Sequence, residues 1–149
     1  MTPYVAVVGP GRATPEQCSI AEEVGRGLAE GGAVLVCGGL GGVMEAACRG
    51  AKEGGGSTLG ILPGAERSAA NEFVDVAIPT GLGEARNALV VRAADVLIAV
   101  AGEYGTLSEI ALGLKTGKPV VGLDTWDIDG IAKASSPGEA VRKALELAK

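Results

Sequence analysis

Apolar residues come in short runs separated by glycine-marked breaks, and the runs alternate between two periods. Tyr4–Val8 (YVAVV), Ala33–Cys37 (AVLVC), Thr58–Leu62 (TLGIL), Val74–Ile78 (VDVAI), Asp95–Val100 (DVLIAV) and Val120–Leu123 (VVGL) are strand-length, and most are too continuously apolar to have a wetted face. Such runs fit strands covered on both sides in a parallel sheet. Between them the spacing is helical. Ile20, Val24 and Leu28 mark a helix from Pro15 to about Glu30, and further helices are predicted from Val43 to about Lys52, Glu84 to Ala94, Thr106 to about Thr116, and after Ser136. Thr14-Pro15-Glu16-Gln17 and Ser136-Pro137-Gly138-Glu139 both read as capping boxes with proline at the first helical position. Asp124 to Ala134 reads as irregular.

Alternating strands and helices joined by short loops predict an α/β fold: a single-domain, Rossmann-like, doubly wound parallel sheet with helices on both faces. In such sheets a ligand sits at the carboxyl ends of the strands, near the reversal of strand order. Three glycine-marked loops follow strands here, after Val8, Cys37 and Val100, and are expected to converge on one site. The third runs Ala101-Gly102-Glu103-Tyr104-Gly105 into a helix, a geometry that presents backbone N–H groups to an anion.

Composition narrows the chemistry. A chain of 149 residues suffices for one domain, and one this long buries roughly 70% of its unfolded surface. The longest uncharged stretch, Gly31 to Met44, is shorter than the roughly 20 residues of a membrane helix, and no basic leader opens the chain, so a cytoplasmic location without a membrane partner is expected. A net charge of −5 with 3% aromatics argues against a nucleic-acid partner. With no histidine, acid–base work near neutral pH falls to carboxylate, lysine, tyrosine or water. Cys18, Cys37 and Cys48 lack metal spacing and are expected as core thiols, with no metal site.

Motifs for common nucleotide folds are absent. Gly39 and Gly41 begin GxGxxG, but Met44 takes the third glycine's place, and no acidic residue ends the second strand to grip an NAD ribose. Gly117-Lys118 leads into Pro119, so there is no Walker loop. The turn Gly38-Gly39-Leu40-Gly41-Gly42 fits close helix–sheet packing, anion binding through the N–H groups of Gly41 and Gly42, or both. Thr106-Leu107-Ser108-Glu109 fits a capping box as well as a site carboxylate. Arg86 stands near a helix start, where a cation opposes the macrodipole; a guanidinium there fits an anion clamp or a solvated surface side chain.

Together, Gly102-Glu103-Tyr104-Gly105-Thr106-Leu107-Ser108-Glu109, the upstream Arg86 and the Gly38–Met44 turn resemble the LOG-like Rossmann proteins of the SLOG superfamily. These were long mislabelled lysine decarboxylases, an activity not expected here, and they include a branch of molybdenum-cofactor carriers. The resemblance covers roughly Tyr4 to Leu123. It implies phosphate binding at Gly38, Gly39, Gly41, Gly42, Gly102, Gly105 and Thr106, with ligand contacts from Gly9, Gly11, Arg12, Met44 and Asn87. In the family's enzymes the corresponding Arg86 and Glu109 cleave the N-glycosidic bond of nucleoside 5′-monophosphates. Three positions depart from the PGGxGTxxE pattern and its upstream pair: Ala101 replaces the proline, Glu103 the second glycine, and Asn87 a lysine common beside the arginine. The resemblance therefore implies first a binding or carrier protein for a phosphorylated small molecule, such as a nucleoside monophosphate or the molybdenum cofactor as carried ligand. A phosphoribohydrolase is the alternative. A homo-oligomer, dimer or tetramer, is expected, paired through the helix from Glu84 to Ala94.

Overall fold

A computed structural model describes residues 1–149 and shows a seven-stranded, all-parallel sheet flanked by five α-helices. The strands are β1 (Tyr4–Val8), β2 (Val34–Cys37), β3 (Thr58–Leu62), β4 (Val76–Pro79), β5 (Val96–Val100), β6 (Val120–Leu123) and β7 (Ile131–Ala134). Their spatial order is β4-β3-β2-β1-β5-β6-β7, so the chain winds outward from β1 and then restarts on its other side at β5. The order reverses between β1 and β5, which pair from Val5 opposite Val96 to Val8 opposite Ala99. Loops leaving these two strands are therefore held side by side. Every residue of β5 is buried, as its unbroken apolar run requires of a strand covered on both faces.

The helices are α1 (Pro15–Glu30), α2 (Val43–Glu53), α3 (Arg86–Ala93), α4 (Tyr104–Lys115) and α5 (Pro137–Leu147). The larger core, of 22 buried residues, joins the sheet to α1, α2 and α5. The smaller, of 11, joins its other face to α3 and α4. Close approach of α1 to α2 depends on glycine: a methyl group at Gly25 would lie 2.0 Å from the Ala47 carbonyl oxygen, and one at Gly50 would lie 1.9 Å from that of Glu22. Cys37 and Cys48 are buried with sulfurs 3.4 Å apart, while Cys18 is half-buried; all three are free thiols.

Several element boundaries differ from expectation. Residues 131–134 are not irregular: β7 pairs in parallel with β6, Val120 opposite Ile131 through Leu123 opposite Ala134. β4 begins at Val76 because the Asp75 carboxylate is taken up by the Thr58 N–H (2.9 Å) and by Lys52 (2.8 Å). A short 3-10 turn, Gly83–Ala85, precedes α3. The Thr14 capping box is complete, with Thr14 N–H donating to Gln17 Oε1 and Gln17 N–H to Thr14 Oγ1. At Ser136 only half of the box forms: its hydroxyl accepts from Glu139 N–H (3.1 Å), but the Glu139 carboxylate accepts from the Ser135 hydroxyl (2.8 Å).

Candidate functional site

At the reversal of strand order, the loops after β1 and β5 and the starts of α2, α3 and α4 enclose a cleft of about 160 Å³. Its lining is Gly9, Pro10 and Gly11 after β1, Met44 on α2, Arg86 and Asn87 on α3, and Glu103, Gly105, Thr106 and Glu109 around the start of α4.

Arg86 is the first residue of α3, and its guanidinium crosses to the loop after β2, where it donates to the Gly38 carbonyl at 3.4 Å. A methyl group at residue 38 would lie 2.6 Å from Arg86 Nη2, so only glycine admits this seat. Nη1 donates to Asn87 Oδ1 in a very short contact, and Asn87 is itself buried. The Nε–H is buried with no acceptor. Arg86 is thus not a solvated surface arginine: it is held, half-buried, at the wall of a cleft with a donor unsatisfied.

The fourth helix starts two residues earlier than its sequence suggests. α4 begins at Tyr104 with Glu103 at the N-cap, and no side chain caps it. Thr106 and Glu109 therefore form no capping box. Thr106 lies within the first turn, its hydroxyl buried without a partner, and Glu109 lies one turn on, facing the same cleft. The first bond of the helix runs from Leu107 N–H to Glu103 O (3.0 Å), which leaves the preceding amides, Gly105 and Thr106 among them, without acceptors. An uncapped helix start concentrates partial positive charge where an anion would sit.

Glu109 is only 7% exposed. Burial lifts its carboxyl to about 7, against the opposing pull of the Arg86 charge. The cleft therefore sets a permanent cation, free amides and a free hydroxyl beside two carboxyls, that of Glu103, which is exposed, and that of Glu109, which changes charge near neutrality. That set suits binding of an oxyanion better than of a cation.

Of the residues singled out in the sequence, Gly9, Gly11, Met44, Arg86, Asn87, Gly105, Thr106 and Glu109 meet in the cleft. Gly38 touches it through Arg86. Gly39, Gly41, Gly42, Gly102 and Arg12 do not line it. Gly39 accepts the Asn71 N–H (2.9 Å), and Gly42, at φ 63°, closes against the β1 loop, where a methyl group would lie 2.3 Å from the Pro10 carbonyl oxygen. Gly41 and Gly42 keep their N–H groups free, but beside the cleft instead of on its wall. Gly102 packs under the Trp126 indole, and Arg12 is exposed. Trp126, next to the cleft and just past β6, escaped the sequence reading; its place beyond the carboxyl end of a strand was the available signal.

A family model described as LDcluster4, SLOG cluster4 family, matches residues 2–147. An uncharacterized protein of Archaeoglobus fulgidus is 46% identical over 95% of this chain and 93% of its own length. Among solved structures, the molybdenum cofactor binding protein of Rippkaea orientalis superposes with a TM-score of 0.94 at 40% identity, covering 100% of this chain and 99% of that one. The molybdenum cofactor carrier protein of Chlamydomonas reinhardtii superposes with a TM-score of 0.91 at 37% identity, covering 99% and 98%.

Proposed function

The chain belongs to the SLOG cluster4 family, and from that premise we propose that it binds and carries a phosphorylated, molybdopterin-type cofactor in the cleft between β1 and β5. One observation carries the reading: the Arg86 guanidinium and the uncapped start of α4 face a single cleft with donors to spare. Similarity along the whole chain to proteins that bind or carry the molybdenum cofactor supports the choice of ligand.

In this reading Arg86 clamps the phosphate, and the Gly105 and Thr106 amides with the Thr106 hydroxyl complete its cradle. Asn87 and the Gly38 carbonyl hold the guanidinium in place, and Gly9, Gly11 and Met44 shape the opposite wall. Phosphoribohydrolase activity is not favoured, because the solved structures similar along the whole chain are those of cofactor binding and carrier proteins. No helix is long and apolar enough to cross a membrane; the working compartment in this reading is the cytoplasm, and a net charge of −5 makes nucleic acid a poor partner.

The test is anaerobic incubation with molybdopterin released from a molybdoenzyme, followed by gel filtration and assay of the retained pterin. Retention is expected, and Arg86→Ala should weaken it about 10- to 100-fold, the range for losing a charge-assisted hydrogen bond. Failure to retain molybdopterin refutes the proposal. Release of free adenine from AMP, lost in Glu109→Ala, would reinstate the hydrolase.

A further inference from the structure

Two of the chain's four aromatic residues, Tyr104 and its only tryptophan, Trp126, stand together outside the anion cleft. Their rings are near-parallel, 26° apart, with centroids 6.3 Å from each other. Tyr104 is 83% exposed. The indole is fixed from below: its N–H donates to the Glu103 carbonyl (3.3 Å), and it lies on the bare backbone of Gly102, where a methyl group would be 2.6 Å from Nε1. An exposed aromatic ring beside an anchored one is a platform for a flat ligand, since stacking needs only a face.

This platform adjoins the anion cleft directly. Glu103 and Gly105 line both the cleft and the open groove under Tyr104 and Trp126, so the start of α4 is a wall shared by the two. On the far side of the indole, Asp124 and Thr125 continue the groove. The Thr125 hydroxyl is buried there with no partner, and the Asp124 carboxylate is exposed without an ion pair. An acceptor-only carboxylate at the rim, with an unpaired hydroxyl buried beside it, suits a ring edge rich in N–H donors.

We propose that Tyr104 and Trp126 form a ring-binding subsite for a phosphorylated heterocycle bearing a 2-amino-4-oxopyrimidine edge, with Asp124 and Thr125 reading that edge. Pterins and guanine share this edge; adenine lacks it. The subsite rests on the anion site proposed above and extends it: the phosphate sits by Arg86, the ring crosses Gly105, and its donor edge meets Asp124.

Trp126 supplies its own readout, as the only tryptophan. The probes are 6-hydroxymethylpterin phosphate, GMP, AMP and ribose 5-phosphate, followed by tryptophan fluorescence and calorimetry. The pterin phosphate or GMP should quench Trp126 and bind at least about tenfold more tightly than ribose 5-phosphate, the gain expected of one stacked ring. Tyr104→Ala, at a residue too exposed to disturb folding, and Trp126→Phe should each reduce that gain while leaving ribose 5-phosphate affinity unchanged. GMP should bind more tightly than AMP, and Asp124→Asn should erase that preference. Tighter binding of the pterin than of GMP assigns the subsite to pterins, and the reverse order assigns it to guanine nucleotides. If ribose 5-phosphate binds as tightly as the ring-bearing probes, or the aromatic variants keep full affinity for them, the subsite is overturned and the anion site stands. If no probe binds although molybdopterin is retained, the subsite is overturned, and if molybdopterin is not retained either, both are.

Discussion

Burial raises the Glu109 carboxyl to about 7 although Arg86 pulls it the other way. A carboxyl whose folded value lies above its unfolded 4.5 holds its proton more tightly in the native state, so its contribution is full below pH 4.5 and is lost as pH rises through 7. The interval corresponds to roughly 3 kcal/mol. Glu109→Gln keeps the shape and removes the charge, so urea denaturation should show the variant more stable than the parent at pH 8 by up to about that amount, and little changed at pH 4. Parallel pH profiles for the two proteins would contradict the burial of an ionisable Glu109. A bound phosphate adds negative charge beside the same carboxyl, so ligand affinity should also fall above pH 7 in the parent and less so in Glu109→Gln. In the sequence, Thr106-x-x-Glu109 reads equally as a cap and as a site. Only the start of the helix two residues earlier separates the two, and the residue that opens it, Glu103, is not a favoured N-cap type that sequence inspection would select.

The turn after β5 is built differently from the proline-bearing motif that it resembles. Ala101 has φ 54°, is buried, and donates its N–H to the Leu123 carbonyl at 3.1 Å, tying the exit of β5 to that of β6. Proline can neither adopt that angle nor donate that bond, so this path of the chain excludes it. Ala101→Pro should cost about 3 kcal/mol or more, read as a drop in Tm of roughly 10 °C for a chain this size. Ala101→Gly should stay near neutral, because relief of a left-handed alanine, about 1 kcal/mol, is offset by glycine's greater freedom when unfolded. A proline variant as stable as the parent would disprove the turn. Elements of this kind divide by how much of their cause is local. Long apolar runs ending in glycine declare β1, β2 and β5, and Thr14 declares α1. β7 does not declare itself: Ile131-Ala132-Lys133-Ala134 is four residues with a lysine among them, and it becomes a strand because β6 offers it an open edge.

Over the whole molecule the two sides of the sheet are unequally covered, three helices over the larger core and two over the smaller. The deficit falls at the β4 edge. Val76 pairs beside Leu59 and Ile78 beside Ile61, which turns both toward the α3 and α4 side, yet they remain 55% and 45% exposed. Leu82, in the turn after β4, is 53% exposed, and Leu89, on α3, is 39%. A monomer leaves these large apolar groups in water, and a second copy covering the α3 side would bury them. A standard interface takes about 800 Å² from each partner, a modest fraction of the 7007 Å² surface. Light scattering should therefore give at least a dimer. Leu82→Lys combined with Leu89→Lys should yield a monomer with unchanged circular dichroism, because neither side chain belongs to either core. Because α3 also begins with Arg86, an oligomer that braces α3 would stiffen the seat of the guanidinium, and the monomeric variant should bind phosphorylated ligand more weakly although no cleft residue has changed. A monomeric parent would refute the interface, and a monomeric variant with full affinity would uncouple it from the site.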